Sequence, residues 1–346
     1  MDENFYRCKP RKIKEYIRDC IYAGLVPYVQ SSPGMGKSTI MEAIANEENL
    51  HMIDHRLSTS APEDMSGLPQ FQEGLAKFAP FADLFPLQDA VIPNGKDGFM
   101  LFLDEFNSAK REVQAASYKL ILDKKVGQHR LHDRLVITAA GNLSTDRAIV
   151  NPIGTAMQSR VIHLEMEIDF DEWLMDVALP QEWDSRVIAY LSQYPSKLMD
   201  FKPDHNEKTF CCPRTWDFVN RIAKTKDKIE VKDTALYGGC ITSGTAADFV
   251  QFTQVYANMV KIEDILRDPV NCYLPGDANT RWATISAMME KVTEDNFEKM
   301  AIYANRFDLS FRVLFFRSAH VRNPKLRSHP AFRKAMSEVS KYIHLD

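Results

Sequence analysis

The chain has 346 residues, 45% of them hydrophobic and 26% charged, which is enough for two domains or one large one and excludes global disorder. Its formal net charge of −4 lacks the basic excess with which a dedicated DNA or RNA binder neutralises phosphates, so the balance argues against nucleic acid as the partner.

Residues 10 to 24 predict an opening helix. Pro10 suits a first turn, Ile13, Ile17, Cys20 and Ile21 share one face, and Gly24 stops it. Val26 to Thr39 then reads VPYVQSSPGMGKST: a short apolar run, a Pro/Gly-punctuated loop and the start of a helical pattern. That is strand, phosphate loop, helix. Gly34 and Gly36 can turn backbone N–H groups onto a phosphate through torsions that a Cβ would obstruct. The new helix points its positive end at the same spot. Lys37 can reach the β- and γ-phosphates, and the Ser38 hydroxyl can ligate Mg²⁺. Ser32, Pro33, Gly34, Met35, Gly36, Lys37, Ser38 and Thr39 are therefore the candidate nucleotide-binding residues. The strict pattern G-x-x-x-x-G-K-[ST] wants glycine at position 31, and this chain has Ser31. Were φ positive there, Ser would cost about 1 kcal/mol, with slower turnover or weaker binding as the expected result.

Leu50 to Leu57 predicts a second strand. His51 and His55 share a face of that strand but stand too far apart for a metal pair. Residues 58–98 are dense in Pro and Gly and read as a loop-rich insert, with FQEGLAKF a small hairpin around Gly74. Residues 99 to 106, FMLFLDEF, have the continuous apolar run of a strand buried on both faces of a parallel sheet. It ends in Asp104, placed to hold a Mg²⁺ water shell, and Glu105, placed to polarise an attacking water; alone, the pair would also fit an exposed acidic turn.

Residues 109 to 123 predict a helix, KKVGQHRLHDR a hairpin, and 134 to 142 (RLVITAAGN) another buried strand. Asn142, at its end, is placed to touch the γ-phosphate or the water, although Asn after Gly is also ordinary turn chemistry. Arg160 precedes a last apolar strand, VIHLEM. From Asp169 the strand signals fade into helical ones, with FKPDHNEKTFCCP a connector and helices expected over 296–317 and 329–344. The six cysteines show no CxxC spacing, which fits thiols in a reducing cytoplasm. The N-terminus lacks an apolar signal region, and no apolar stretch reaches 18 residues, so neither export nor a membrane span is expected.

Together these motifs resemble the MoxR branch of the AAA+ ATPases, near the dynein/midasin-related group. SSPGMGKST is similar to Walker A, LFLDEFNSAKREVQAASYKLILDKKVG to the Walker B strand and its helix, and ITAAGN to sensor 1, the role this gives Asn142. AMQSR resembles the stretch that places the arginine finger at Arg160, though Arg130, Arg134 and Arg147 lie in segments that could equally face a neighbour. CCPRTWDFV resembles the lid motif in which Arg214 serves as sensor 2, and APEDMSGLPQF the helix-2 insert.

The resemblance implies an α/β AAA+ core of five parallel strands over 1–166, followed by a helical lid and C-terminal region over 167–346. It implies ATP and Mg²⁺ as cofactors, assembly into a ring usually of six subunits, and a chaperone-like action on a protein partner, often one with a von Willebrand A-type domain. Glu105, Asn142, Arg160 and Arg214 would be catalytic, with Ser38 and Asp104 at the metal. Two alternatives stay open: a nucleotide-gated scaffold with negligible turnover, and a nucleic-acid-stimulated motor using the KKVGQHR loop.

Overall fold

The computed structural model describes residues 7–146, 151–254 and 259–339. The chain splits into two compact units at Ile168–Asp169, with Lys202–Asp204 grouping with the first.

In the first unit the strands are β1 (Arg7–Cys8), β2 (Pro27–Ser31), β3 (Leu50–Arg56), β4 (Leu68–Gln72), β5 (Leu75–Ala79), β6 (Gly98–Asp104), β7 (Lys125–Val126), β8 (His129–Arg130), β9 (Leu135–Asn142) and β10 (Ile162–Met166). Its helices are α1 (Pro10–Tyr22), α2 (Lys37–Glu47), α3 (Pro62–Ser66), α4 (Arg111–Asp123) and α5 (Thr155–Gln158). Six strands form one parallel sheet in the order β1-β10-β2-β9-β6-β3. Five had been expected. The sixth is β1, a two-residue edge strand that pairs Arg7 with Glu165 and Cys8 with Met166. Two residues are too short to show an alternating pattern, and an ion pair between Arg7 Nε and Glu165 Oε1 at 2.7 Å helps fix them.

The continuous apolar run of β6 has the predicted consequence: all seven of its residues are buried. Successive side chains leave opposite faces of the strand. Phe99, Leu101 and Leu103 pack with Ile137, Ala139 and, from α4, Val113 and Leu120. Met100 and Phe102 pack on the other side with Val29, Ala140, Ile13 and Ile17 of α1, and Met41 and Ile44 of α2. Each such side chain contributes about 1.5–3 kcal/mol on burial, so the strand ends are held by two hydrophobic layers.

The insert between β3 and β6 holds α3 and the antiparallel β4–β5 hairpin, with Gln72 opposite Leu75 across a Glu73-Gly74 turn. Phe71 and Leu75, near its tip, are exposed. A second hairpin, β7–β8, pairs Val126 with His129, and His129 Nε2 lies 3.0 Å from the Phe78 carbonyl oxygen of the insert.

In the second unit the helices are α6 (Phe170–Trp173), α7 (Ser185–Gln193), α8 (Pro213–Ala223), α9 (Thr234–Gly238), α10 (Ser243–Gln254), α11 (Ile262–Arg267), α12 (Ala278–Lys291), α13 (Phe297–Ala304), α14 (Leu309–Arg322) and α15 (Pro330–Val339). One aromatic core gathers Tyr190 of α7, Trp216 of α8 and Phe249 and Phe252 of α10, with Trp216 Nε1 donating to the Lys197 carbonyl at 2.7 Å. A second gathers Phe297, Phe315, Phe316 and Phe332 from α13, α14 and α15. The helix expected over 296–317 is two helices, because the chain turns at Asn305–Asp308 before α14 starts. The one expected over 329–344 begins at Pro330, and its residues from 340 onward lie outside those described. Among the described residues no helix is long and apolar enough to cross a membrane.

His55 reaches from β3 into the insert, 4% exposed, with its ring 5.4 Å from that of Phe85 and Nε2 2.8 Å from Ser60 Oγ. Burial holds its pKa below the ordinary 6.5, and Asp64 opposes this only in part. The folded protein therefore binds fewer protons at His55 than the unfolded chain does. The stability this gives is complete above the unfolded pKa and is lost as pH falls through the lower, folded one. The melting temperature should drop as pH falls below the ordinary histidine pKa of 6.5, and His55→Gln should remove part of that drop. An unchanged pH slope in the variant would clear His55 of the effect.

Candidate active site

The loop after β2 turns through Gly34 at φ 77° and Gly36 at φ 87°, the left-handed region open to glycine. Gly36 is the N-cap of α2 and offers no side chain to the first-turn N–H groups. Those donors are left facing the loop, the arrangement that suits an anion. Ser31 does not share this geometry. It is the last residue of β2, paired with Asn142, and its backbone is extended, so the cost anticipated for a left-handed serine does not arise.

Register then brings the strand ends together. Ser31 lies beside Asn142, and Arg56 beside Asp104, across adjacent parallel pairs. Lys37, at the start of α2, sends Nζ back to donate to the Ser31 carbonyl and to Asn142 Oδ1, each at 3.1 Å. Ser38 Oγ donates to Asp104 Oδ2 at 3.3 Å. Lys37, Ser38, Asp104 and Asn142 thus form one connected group. A hydroxyl and a carboxylate oxygen so close are hard donors that suit Mg²⁺. Among the described residues no three His, Cys, Asp or Glu are arranged around a metal, so an ion here would draw most of its ligands from phosphate and water.

Glu105 follows Asp104 with φ 54°, a left-handed turn that takes it out of the strand direction. Its N–H donates to Asp104 Oδ1 at 2.8 Å. Its carboxylate accepts a short hydrogen bond from Ser58 Oγ, and Arg56 Nε stands 3.8 Å from Oε1. The same guanidinium is 3.8 Å from Asp104 Oδ2. Asp54 adds a third carboxyl nearby, raised above its usual pKa first by burial and then by Asp104 and Glu105, with Arg56 opposing. The acidic end of the site therefore carries its own counter-charge.

Sequence reasoning had not singled out Arg56, Ser58 or Asn107. Asn107 is 4% exposed and clamps the backbone of Asn142, accepting from its N–H at 3.0 Å and donating Nδ2 to its carbonyl at 2.7 Å. The neighbouring Gly141 leaves room for this clamp. A Cβ there would stand 2.4 Å from Asn107 Oδ1 and 2.3 Å from the Tyr28 hydroxyl. The LDEFN run was the one available signal for Asn107, which follows the two carboxylates by two residues.

Within the first unit, Arg160 is not drawn into this group. Arg160 precedes β10, whose first residue Ile162 pairs with Pro27 at the start of β2. It therefore sits at the opposite end of the sheet from the loop, a strand length or roughly 15 Å away. Its side chain is exposed and bonds the Ala156 carbonyl. Arg214 belongs to the second unit, exposed in the first turn of α8. Of the other arginines considered, Arg130 is exposed on β8, Arg134 is exposed with its guanidinium 3.5 Å from the Asp97 carbonyl, and Arg147 lies outside the described residues.

No protein-family model and no curated protein matches the chain. Among solved structures it is similar to a candidate ATPase from Cytophaga hutchinsonii, with 14% identity, 96% of this chain and 87% of that one covered, and a TM-score of 0.34. It is likewise similar to a RuvB Holliday junction branch migration motor from Thermotoga maritima (14% identity, 95% and 87% covered, TM-score 0.33). A third is NtrX from Brucella abortus in complex with ADP (15% identity, 95% and 65% covered, TM-score 0.36). At these scores the likenesses carry no argument, and the reading of the site rests on the chain's own residues.

Replacing Asn107 with Ala leaves the Asn142 N–H and carbonyl without their clamp. Thermal or urea unfolding should show a loss of about 1–3 kcal/mol from the unpaired N–H, with the carbonyl keeping only its 3.5 Å bond from Gln30 Nε2. A variant as stable as the wild type would show that the clamp is not needed to hold Asn142.

Proposed function

We propose that this protein is a ring-forming ATPase of the MoxR type within the AAA+ group, coupling Mg²⁺-dependent ATP hydrolysis to the remodelling or activation of a protein partner. The observation that carries the reading is the connected group Lys37–Asn142 and Ser38–Asp104 beside a glycine-turned loop and a helix start. Residues 32–39 would wrap the phosphates, with Lys37 balancing their charge as a point cation. Ser38 and Asp104 would hold Mg²⁺, which would neutralise charge on the phosphates. Glu105 would orient and deprotonate the attacking water, and Asn142 would fix that water or the terminal phosphate.

The placement of Arg160 supports its proposed role as a finger acting on a neighbouring copy, since it lies a strand length from its own loop. An arginine finger contributes about 10³–10⁵ in rate, or ~4–7 kcal/mol of barrier. Hydrolysis would then depend on assembly, here read as a hexamer. Arg214, on the helical unit, would report the nucleotide state to the lid. The partner is read as a protein, with a von Willebrand A-type domain the form suggested by the resemblance, and the site of action as the cytoplasm.

A second reading, a nucleotide-gated switch with negligible turnover, has one observation in its favour. Both oxygens of Glu105 already have partners, in Ser58 and Arg56. Phosphate release at high protein concentration separates the two, because the ring ATPase turns over there and the switch does not.

Glu105→Gln should retain ATP binding and assembly while losing about 10²–10⁴ in turnover, the usual worth of a general base. Mixing Glu105→Gln with Arg160→Ala, each inactive alone, should restore part of the phosphate release through mixed interfaces. Wild-type turnover by Glu105→Gln, or no recovery on mixing, would count against these assignments.

A further inference from the structure

Ser31, where a glycine is expected, is fully buried at the end of β2. Its hydroxyl donates to the Ser32 carbonyl at 3.0 Å, which directs its lone pairs. One lone pair accepts from Lys37 Nζ at 3.1 Å. The same Nζ donates to the Ser31 carbonyl and to Asn142 Oδ1, both at 3.1 Å, and approaches the Ser32 carbonyl at 3.4 Å. An ammonium has three N–H donors and no acceptor. Their partners here include these four neutral oxygens of the protein.

Gripping two phosphate oxygens takes two of those three donors. The Ser31 carbonyl is present whatever residue occupies position 31, so keeping that bond requires nothing of the side chain. The hydroxyl is different: it is an additional acceptor that a glycine would not supply, and it must be given up along with Asn142 when the phosphates arrive. We propose that Ser31 is a positioning residue that holds Lys37 in reserve, its hydroxyl competing with phosphate for the ammonium and so weakening nucleotide affinity. This rests on Lys37 being the phosphate ligand of the ATPase reading above. Both ATP and ADP should be affected, because both present a β-phosphate, and ATP at least as strongly, because it adds the γ-oxygens that Lys37 can reach.

The test is the Kd for ADP and for ATP, by isothermal titration calorimetry, in the wild type and in Ser31→Ala, Ser31→Gly and Ser31→Thr. Ser31→Ala and Ser31→Gly should bind about fivefold more tightly, the equivalent of one net hydrogen bond. Ser31→Thr, which keeps the hydroxyl, should bind like the wild type. A role confined to shaping the loop would give the opposite sign, since a looser loop binds more weakly. Unchanged or weaker binding by natively melting Ser31→Ala overturns the proposal while leaving the ATPase reading intact. A wild type that binds neither nucleotide overturns both. Should the glycine variant fail to fold, the comparison of Ala with Thr is decisive by itself.

Discussion

Parallel register at one edge of a buried sheet is the constraint on which the site depends. Side chains from β2, β3, β6 and β9 meet because those strands run the same way and end within a residue or two of one another. Antiparallel neighbours would send half of these ends to the far side. The two hydrophobic layers around β6 are what make the register firm, because a one-residue slip would exchange Leu101 and Phe102 between layers of different shape. Precision in Asp104 and Asn142 is thus inherited from packing several residues away.

The same edge concentrates charge, and the chain balances it locally. Lys37 donates to the Ser31 carbonyl and Asn142 Oδ1, while Arg56 stands between Asp104 and Glu105. A half-exposed guanidinium at such distances adds little to stability. Its effect is on the field: it offsets the negative charge of the two carboxylates. The positive φ of Glu105 belongs to the same economy, because it turns the carboxylate away from the strand and toward Ser58.

The parts of this site that are contiguous in sequence were legible there. The loop, Lys37, Ser38, Asp104 and Glu105 announce themselves because glycine punctuation and an apolar run ending in acids are local patterns. Arg56, Ser58 and Asn107 were not, since each is an ordinary polar residue whose meaning comes only from the strand that pairs beside it. Ser31 shows the converse. Its departure from the pattern suggested a strained backbone, yet strand pairing with Asn142 keeps it extended. The fold class followed from the resemblance, and the buried strands from their continuous apolar runs. The β1 edge and the break between α13 and α14 did not, because one is too short to have a period and the other interrupts a pattern that stays helical on both sides.

The distance of Arg160 from the glycine loop has a geometric corollary. If Arg160 serves a neighbouring copy, as proposed, each copy would have a donating pole and a receiving pole, and a contact joining unlike poles would be directional. An open row of such copies would leave one receiving pole unserved and one arginine idle at the other end. Only closure on itself would then complete every centre. A small error in the rotation between copies would yield a helical fibre instead, with a vacant position at its tip.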